Sequence, residues 1–414
     1  MKEEILSNLE NPAQLERLYR ADKSTFKRTF KTLYPEMQGN MLLTYWNERL
    51  SFTGEEIFWG SRSELIFVVI ACLLAGLISK LPVLFSFNED FFYPRNIGFI
   101  IFPALSAYFA WRNKMSTGSI VYIAGVTLLG SIFINFLPEL KTSDTLVLSC
   151  IHLPLCLWST LGYAFVGGAK NNVEKRLGFL RYSGDLVVMT ALILLAGGLM
   201  SAITVGLFEV IGFNINKYYF DYVAIFGLSS APIVATYLTQ TNPQLVGKVS
   251  PVIAKIFSPL VLIMLIIYLA AIIYSGKNPY SDREFLIVFN ALLVGVMAII
   301  FFSVAETSKI APYRVGVWVL FLLSVITAVV NGIALSAILF RISTWGITPN
   351  RAAVLGGNVF ILINLILVTG QLFKVISTKA PISGVGKVIS QYLPVYFIWA
   401  VIVTFLFPLL FWFK

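Results

Sequence analysis

From Leu65 onward, apolar stretches recur along the chain, each close to the roughly 20 residues that an α-helix needs to cross a bilayer. We predict eleven membrane spans, near residues 65–85, 96–112, 117–138, 145–168, 184–211, 219–239, 252–275, 284–305, 314–340, 352–373 and 392–413. Composition agrees, since charged residues make up only 13% of the chain, against about 25% in soluble proteins. The sequence therefore predicts an all-α, polytopic membrane protein.

A polar region precedes the first span. We expect residues 1–63 to form a separate cytoplasmic helical region and residues 64–414 to form the transmembrane helical bundle. Asn11 followed by Pro12 predicts the start of one helix, because Asn is a favoured N-cap and Pro a favoured first helical residue. So small a unit buries little core, and we expect it to dock on cytoplasmic loops or on a cytoplasmic protein partner.

Two further helices are expected in this region. Asp22 precedes the second, which Pro35 ends. The third is marked by apolar side chains at three-to-four spacing, namely Met41, Leu42, Tyr45 and Trp46. The alternative to docking is a helical anchor on the membrane surface, which the acidic side chains of the region disfavour.

Basic residues are concentrated on one side of the predicted topology. The chain carries 31 Lys and Arg against 21 Asp and Glu, and many of the basic residues lie in the N-terminal region and in the loop before the fifth span. Because cytoplasmic loops retain Lys and Arg, we expect a cytoplasmic N-terminus and, with eleven spans, a periplasmic C-terminus. Such segments are attracted to anionic headgroups, so membrane lipids, and not nucleic acid, are the expected partners.

Most enzyme signatures are absent from the sequence. The three cysteines form no CxxC motif, and with one histidine there is no HExxH helix, so we expect neither a metal nor another cofactor. No GxSxG elbow or P-loop occurs, which disfavours an enzyme. One exception is Glu89 beside Asp90 in the first external loop, because multi-span transferases of lipid-linked sugars place paired acidic residues there.

A few polar residues lie within the predicted spans. His152 is the only histidine, and its titration range suits a pH switch or a proton relay. Asn290, Asn331 and Asn364 mark later spans, where they either line a polar path or form hydrogen bonds between packed helices. Lys80 is expected to extend its ammonium group toward the nearer membrane surface.

Two segments resemble a known family. Residues 342–358, ISTWGITPNRAAVLGGN, are similar to a YGLTxxR-type motif, with Gly346, Thr348 and Arg351 at matching positions and Trp345 where Tyr is more frequent. Residues 11–36 are similar to the N-terminal leader of one branch of the same family. The chain thus resembles the bacterial polytopic membrane proteins catalogued as domain of unknown function 4153.

The resemblance implies a multi-pass protein of the bacterial inner membrane and brings no activity with it. On physical grounds, Gly346 permits a tight turn, Thr348 caps a helix that begins at Pro349, and Arg351 is placed to bind a headgroup phosphate or another anion.

Three functions are consistent with these observations. The first is a transporter, flippase or channel-like protein for a small or lipidic solute. The second is a membrane sensor or scaffold that signals through the N-terminal helices. The third is a transferase of lipid-linked sugars. The sequence indicates neither the solute nor the oligomeric state.

Overall fold

We analysed a computed structural model of the chain. It describes residues 2–9, 11–22, 26, 29–30, 32–34, 41–51, 60–138, 143–168, 172–210, 213–247, 249–275, 283–307, 314–378 and 380–414. These residues are almost entirely helical and contain no β-strand. The predicted all-α class is therefore confirmed.

The chain divides into two compact units, Met1–Phe58 and Trp59–Lys414. The first contains α1 (Lys2–Ser7), α2 (Pro12–Ala21) and α3 (Met41–Ser51). The second contains the membrane helices. These are α4 (Arg62–Phe85), α5 (Glu89–Arg112), α6 (Thr117–Phe136), α7 (Asp144–Val166), α8 (Val173–Val210), α9 (Asn216–Tyr218), π1 (Tyr219–Ala224), α10 (Ile225–Thr241), α11 (Pro243–Gly247), α12 (Val249–Ser275), α13 (Arg283–Thr307), α14 (Arg314–Trp345), α15 (Pro349–Thr378), α16 (Ser383–Val401), π2 (Ile402–Leu406) and α17 (Phe407–Leu410).

The prediction of eleven spans is too high. Within the described residues, nine helical segments are long and apolar enough to cross a membrane. The two predicted spans that fail correspond to α5 and α12. Charged residues at both ends of α5 lower its hydropathy, and among the described residues α12 contributes an apolar stretch of Pro251–Ile267. Within the described ranges the count is therefore nine or ten.

The first unit has its own small core. Asn11 caps α2, which begins at Pro12 as predicted, and its side chain accepts a hydrogen bond from the Gln14 backbone at 3.1 Å. α3 confirms the third predicted helix, whereas most of the predicted second helix, from Asp22 to Pro35, lies outside the described residues. The buried apolar side chains are Ile5, Leu15, Phe26, Phe30, Leu33, Leu43, Trp46 and Leu50.

The second unit contains two large apolar clusters, which share α8. The first core is built mainly by α4, α5, α7 and α10, and we include in it a smaller adjoining cluster around Ile134 and Leu137, against which Phe102 also packs. The second core is built by α12, α13, α14, α15 and α16. On α8, Phe179 and Tyr182 belong to the first core, whereas Leu177 and Leu180 belong to the second. Because these two pairs lie on opposite faces of one helix, α8 forms the boundary between the cores.

Buried polar groups in the first core are hydrogen-bonded. Arg95 is only 4% exposed, and its Nη1 donates to Ile134 O at 2.8 Å and to Leu137 O at 3.1 Å, where α6 ends. Next to it, Asn96 and Asn135 exchange two amide hydrogen bonds, both of 2.9 Å. These contacts join α5 to the end of α6.

Lys80 is placed differently from the sequence expectation. Its side chain is 4% exposed, and its ammonium nitrogen lies 4.1 Å from the centre of the Tyr222 ring in π1. Nearby, the Ser79 and Ser229 hydroxyls form a 2.8 Å hydrogen bond between α4 and α10. Because these helices meet at this level, Lys80 is covered by the neighbouring helix instead of reaching freely to the membrane surface.

Candidate functional site

The candidate site lies in the second core, where α14 and α15 pack along each other. Asn331 is near the middle of α14 and is fully buried. Its Nδ2 donates to the Asn358 backbone oxygen at 3.2 Å, and Asn358 Nδ2 donates to Asn290 Oδ1 at 2.8 Å. The structure therefore joins two of the predicted polar residues, Asn290 and Asn331, through Asn358.

Asn364 occupies the middle of α15 and has a different environment. Its side chain is fully buried, and among the described residues neither Oδ1 nor Nδ2 has a hydrogen-bond partner. The Tyr396 hydroxyl, from the middle of α16, is close enough to interact with this amide, but no hydrogen bond of acceptable geometry joins the two groups. Three polar atoms, namely Asn364 Oδ1, Asn364 Nδ2 and the Tyr396 hydroxyl oxygen, therefore lie close together without forming hydrogen bonds of good geometry.

Two further polar atoms, on α14 and α16, lack hydrogen bonds within the described part of the chain. They are Asn331 Oδ1 and Trp399 Nε1. The indole of Trp399 lies against α15 at Gly356, where an added Cβ would fall 2.2 Å from the ring. Only glycine therefore allows the ring to lie so close to α15 at this position.

Hydroxyl groups continue the polar residues along α14 and α15. Thr369 Oγ1 donates to Ser324 Oγ at 2.9 Å, and Ser324 and Thr327 are fully buried. From Asn358 to Thr369 the distance along α15 is about 16 Å, at 1.5 Å per residue. The polar groups thus extend through about half of a hydrocarbon layer of roughly 30 Å.

Charged groups lie beyond the end of this series. Arg181 of α8 forms an ion pair with Glu306 of α13, with a nitrogen–oxygen distance of 3.4 Å, and donates a hydrogen bond to Ala305 O. Asp185, one turn further along α8, also interacts electrostatically with Arg181. This cluster closes the end of the second core at which α13 terminates.

The motif at residues 342–358 forms the connection between α14 and α15. Gly346 has a positive φ of 75°, and Thr348 Oγ1 accepts a hydrogen bond from the Arg351 backbone at the start of α15. Arg351 Nη1 donates to Trp345 O at 3.0 Å and to Gly346 O at 2.7 Å. These bonds explain an arginine in the first turn, and anion binding by Arg351 remains a prediction.

The other predicted residues lie elsewhere. His152 is on α7, and its Nδ1 hydrogen-bonds to Leu148 O one turn earlier, at 2.8 Å. Glu89 and Asp90 are exposed in the first turn of α5, after the N-cap Asn88. Carboxylates at this position stabilise the helix N-terminus. No group of three or more His, Cys, Asp or Glu side chains is placed to hold a metal ion within the described ranges.

Tyr396 and Trp399 were not predicted from the sequence as members of the site. The available signal was their position within the last span, where an aromatic ring carrying a polar atom needs a partner. Arg95 was also missed, although it stands near the start of a predicted span. The sequence matches no protein-family model, and neither a curated protein nor a solved structure matches the chain.

Proposed function

We propose that this integral membrane protein transports a solute through the second core, between α13, α14, α15 and α16. One observation carries the proposal, namely the Asn364 amide, which is fully buried at the middle of α15 without a hydrogen bond from the described residues. An unsatisfied buried polar group costs about 1–3 kcal/mol. In a bilayer no water reaches it from the lipid, so a polar group kept there calls for a functional explanation.

Structural hydrogen bonding between helices is the main alternative explanation for the asparagines. It accounts well for Asn290 and Asn358, which bond to each other, and for the Nδ2 of Asn331. It does not account for Asn364, because a packing role would be served at least as well by leucine. Transport accounts for the unbonded Asn364 amide as well as for the bonded asparagines. A solute that passes the site would form hydrogen bonds with the Asn364 amide during part of the transport cycle.

The remaining features are consistent with a path across the membrane. The hydroxyls of Ser324 and Thr369 continue the polar groups along α15, and the Arg181–Glu306 ion pair stands at one end. We further propose that the N-terminus is cytoplasmic and that the protein resides in a bacterial inner membrane, on the basis of the basic loops and the family resemblance.

A second candidate function is a sensor or scaffold that acts through the N-terminal unit. Met41 and Tyr45 of α3 are 72% and 62% exposed. Tyr45 lies at a cleft between α2 and α3 that is also lined by Trp46 and Arg49. Exposed apolar side chains beside a cleft are typical of protein contact surfaces. Transport and signalling are compatible, because the two features occupy different units.

Access of water to position 364 tests the transport proposal. In a variant whose native cysteines Cys72, Cys150 and Cys156 are replaced by Ala, Asn364→Cys should react with a small membrane-impermeant thiol reagent in sealed vesicles. The matched control is Leu365→Cys, which is equally buried but packs in the apolar cluster and should stay unmodified. A permanently sealed bundle, with both positions unreactive, would contradict the proposal.

A further inference from the structure

We infer that the transported solute is uncharged and polar and carries both hydrogen-bond donors and acceptors, as polyols, sugars and amides do. The inference rests on the proposed function and specifies the class of solute for the same site. It is argued from the chemistry of the unsatisfied atoms, from the distribution of charge around them and from the continuity of the helices.

The unsatisfied atoms are a mixture of donors and acceptors. Asn331 and Asn364 each offer a side-chain oxygen, whereas Asn364 Nδ2 and Trp399 Nε1 offer N–H groups, and the Tyr396 hydroxyl serves in either role. A cation prefers a shell of oxygen ligands and is repelled by N–H groups. An anion prefers N–H groups and is repelled by the amide oxygens. A neutral solute with hydroxyl or amide groups satisfies both kinds at once.

On α14, α15 and α16, charged side chains are remote from Asn331, Asn364 and Tyr396. The nearest on each helix are Arg341 on α14, Lys374 on α15 and Lys387 on α16. All are nine or more residues away, which is roughly 13 Å or more along the helix axis. On α13, Glu306 is five residues from Phe301, whose ring contacts Tyr396, and it is paired with Arg181. An ion transferred from water to an apolar interior without a counter-charge costs far more than a neutral polar molecule does. α14, α15 and α16 provide no such counter-charge near these residues, and Glu306 of α13 is already paired with Arg181.

The helices also lack the device by which many transporters hold ions. Ion sites at the midplane are commonly formed by broken helices, whose exposed ends supply partial charges. α14 and α15 run without interruption through Asn331 and Asn364. α16 remains helical through Tyr396 with Pro394 inside it, and the Ser390 backbone oxygen, four residues before Pro394, accepts a hydrogen bond from Arg176. No backbone terminus therefore points at the site from these three helices.

Solute flux in proteoliposomes tests the inference. The purified full chain is reconstituted, and swelling is followed by light scattering with glycerol or urea as the neutral probe. Sodium, chloride and glycine serve as the charged and zwitterionic probes. We expect the neutral probes to enter faster than into protein-free liposomes, with no gain for the charged ones.

Substitutions at position 364 sharpen the test. Asn364→Leu should lower neutral-probe flux about tenfold, which corresponds to ~1.4 kcal/mol. Asn364→Asp should also lower it, because the carboxyl group loses the amide N–H donors and, when ionised, adds a charge without a partner. Gly370→Ala on the same helix has open space around its Cβ and should transport like the wild type.

The outcomes separate the two proposals. Flux of an ion or of glycine that depends on Asn364 overturns the neutral class and leaves transport standing. If Asn364→Cys is labelled from water but none of the neutral probes crosses, the inferred class is again wrong. If no probe crosses and the cysteine is unreactive, transport itself is wrong.

Discussion

The two cores of the membrane unit differ in how completely particular buried polar groups are hydrogen-bonded. The first core contains a buried guanidinium, Arg95, and a pair of amides, Asn96 and Asn135, and the structure gives each of them hydrogen bonds to neighbouring helices. The second core contains no charge at its centre, yet Asn364 has no hydrogen bond from the described residues. The Arg95 guanidinium, which is the more costly group to bury, is thus better satisfied than the Asn364 amide.

This difference separates structural from functional polarity. A polar group that stabilises a bundle has to be bonded in the resting fold, because its benefit comes from those bonds. A polar group that binds a passing solute has to be free of other hydrogen bonds when the solute arrives. Such a group lowers the stability of the protein while no solute is bound. By this criterion Arg95, Asn96 and Asn135 stabilise the fold, whereas Asn364 has the unsatisfied amide that the proposed transport function requires.

The strongest test of the comparison is Arg95→Met. The substitution leaves the backbone oxygens of Ile134 and Leu137 without their donor at the end of α6, and should lower the free energy of unfolding by about 3 kcal/mol. Thermal unfolding in a fixed detergent measures the effect. Arg95→Lys keeps the charge but has a single donor nitrogen, so its free energy of unfolding should lie between those of the wild type and Arg95→Met. An unchanged transition temperature for Arg95→Met would mean that the first core does not depend on this bond.

Packing of the second core can be tested at Gly356. Gly356→Ala puts a Cβ against the Trp399 ring and should cost about 1–3 kcal/mol through overpacking. The neighbouring Gly357→Ala meets the indole nitrogen only at 3.8 Å and should be neutral or slightly stabilising, because alanine favours the helix. Thermal unfolding of both variants gives the contrast. Equal stabilities would indicate that Trp399 does not lie flat on α15.

Asparagine-to-leucine substitutions compare the two cores directly. Asn135→Leu breaks a satisfied amide pair and should destabilise the protein by about 1 kcal/mol. Asn364→Leu removes an unsatisfied amide, so the unliganded protein should be as stable as the wild type or more stable. The two transition temperatures are compared in the same detergent. If Asn364→Leu were the more damaging substitution, the amide would have a structural role.

The exposed ion pairs of Glu16 with Arg20 and Arg49, in the N-terminal unit, can be compared with the buried polar groups of the membrane unit. Hydrogen bonding to Arg20, with a further contribution from Arg49, holds the pKa of Glu16 below its ordinary value of 4.5. A lowered pKa favours the folded state above 4.5, and this stabilisation is lost as the pH falls through the pKa of the folded form. Because solvent screens the pair, the effect should be below about 1 kcal/mol.

Hydrogen exchange of α2 measures this small effect. Wild type and Glu16→Gln should differ at neutral pH and converge in acid, with the comparison made at each pH so that intrinsic exchange rates cancel. A difference that persists unchanged in acid would contradict the assignment to Glu16 ionisation.

The fold class was accessible from the sequence because apolar stretches of span length require only composition and periodicity. The count was less secure, since α5 carries Glu89, Asp90, Arg95 and Arg112 and its apolar window resembles a short span. The polar residues of the site were visible as side chains in apolar segments. The arrangement of these residues in space could not be predicted. Helical phase places Asn331 and Asn364 on one face of their own helices but does not show which neighbouring helix that face contacts. The same limit concealed Tyr396.

Arg95 illustrates a second limit. A cation near the start of a span has the same sequence signature whether it reaches a headgroup or the backbone of the next helix. Only the end of α6, brought beside it by packing, distinguishes the two cases. The turn at Gly346 was predictable for the opposite reason, because its geometry depends on residues close in sequence.

The π-helical segment π2 has a consequence for how this chain is compared with others. A wider turn accommodates one extra residue, so residues from Phe407 onward are out of phase with α16 by about 100°. The extra residue is accommodated where Thr404 O accepts a hydrogen bond from Ser149. A homologous helix without this insertion would therefore align only with a one-residue gap inside 402–406, and an ungapped alignment would assign Phe407 and its neighbours to the wrong helical face.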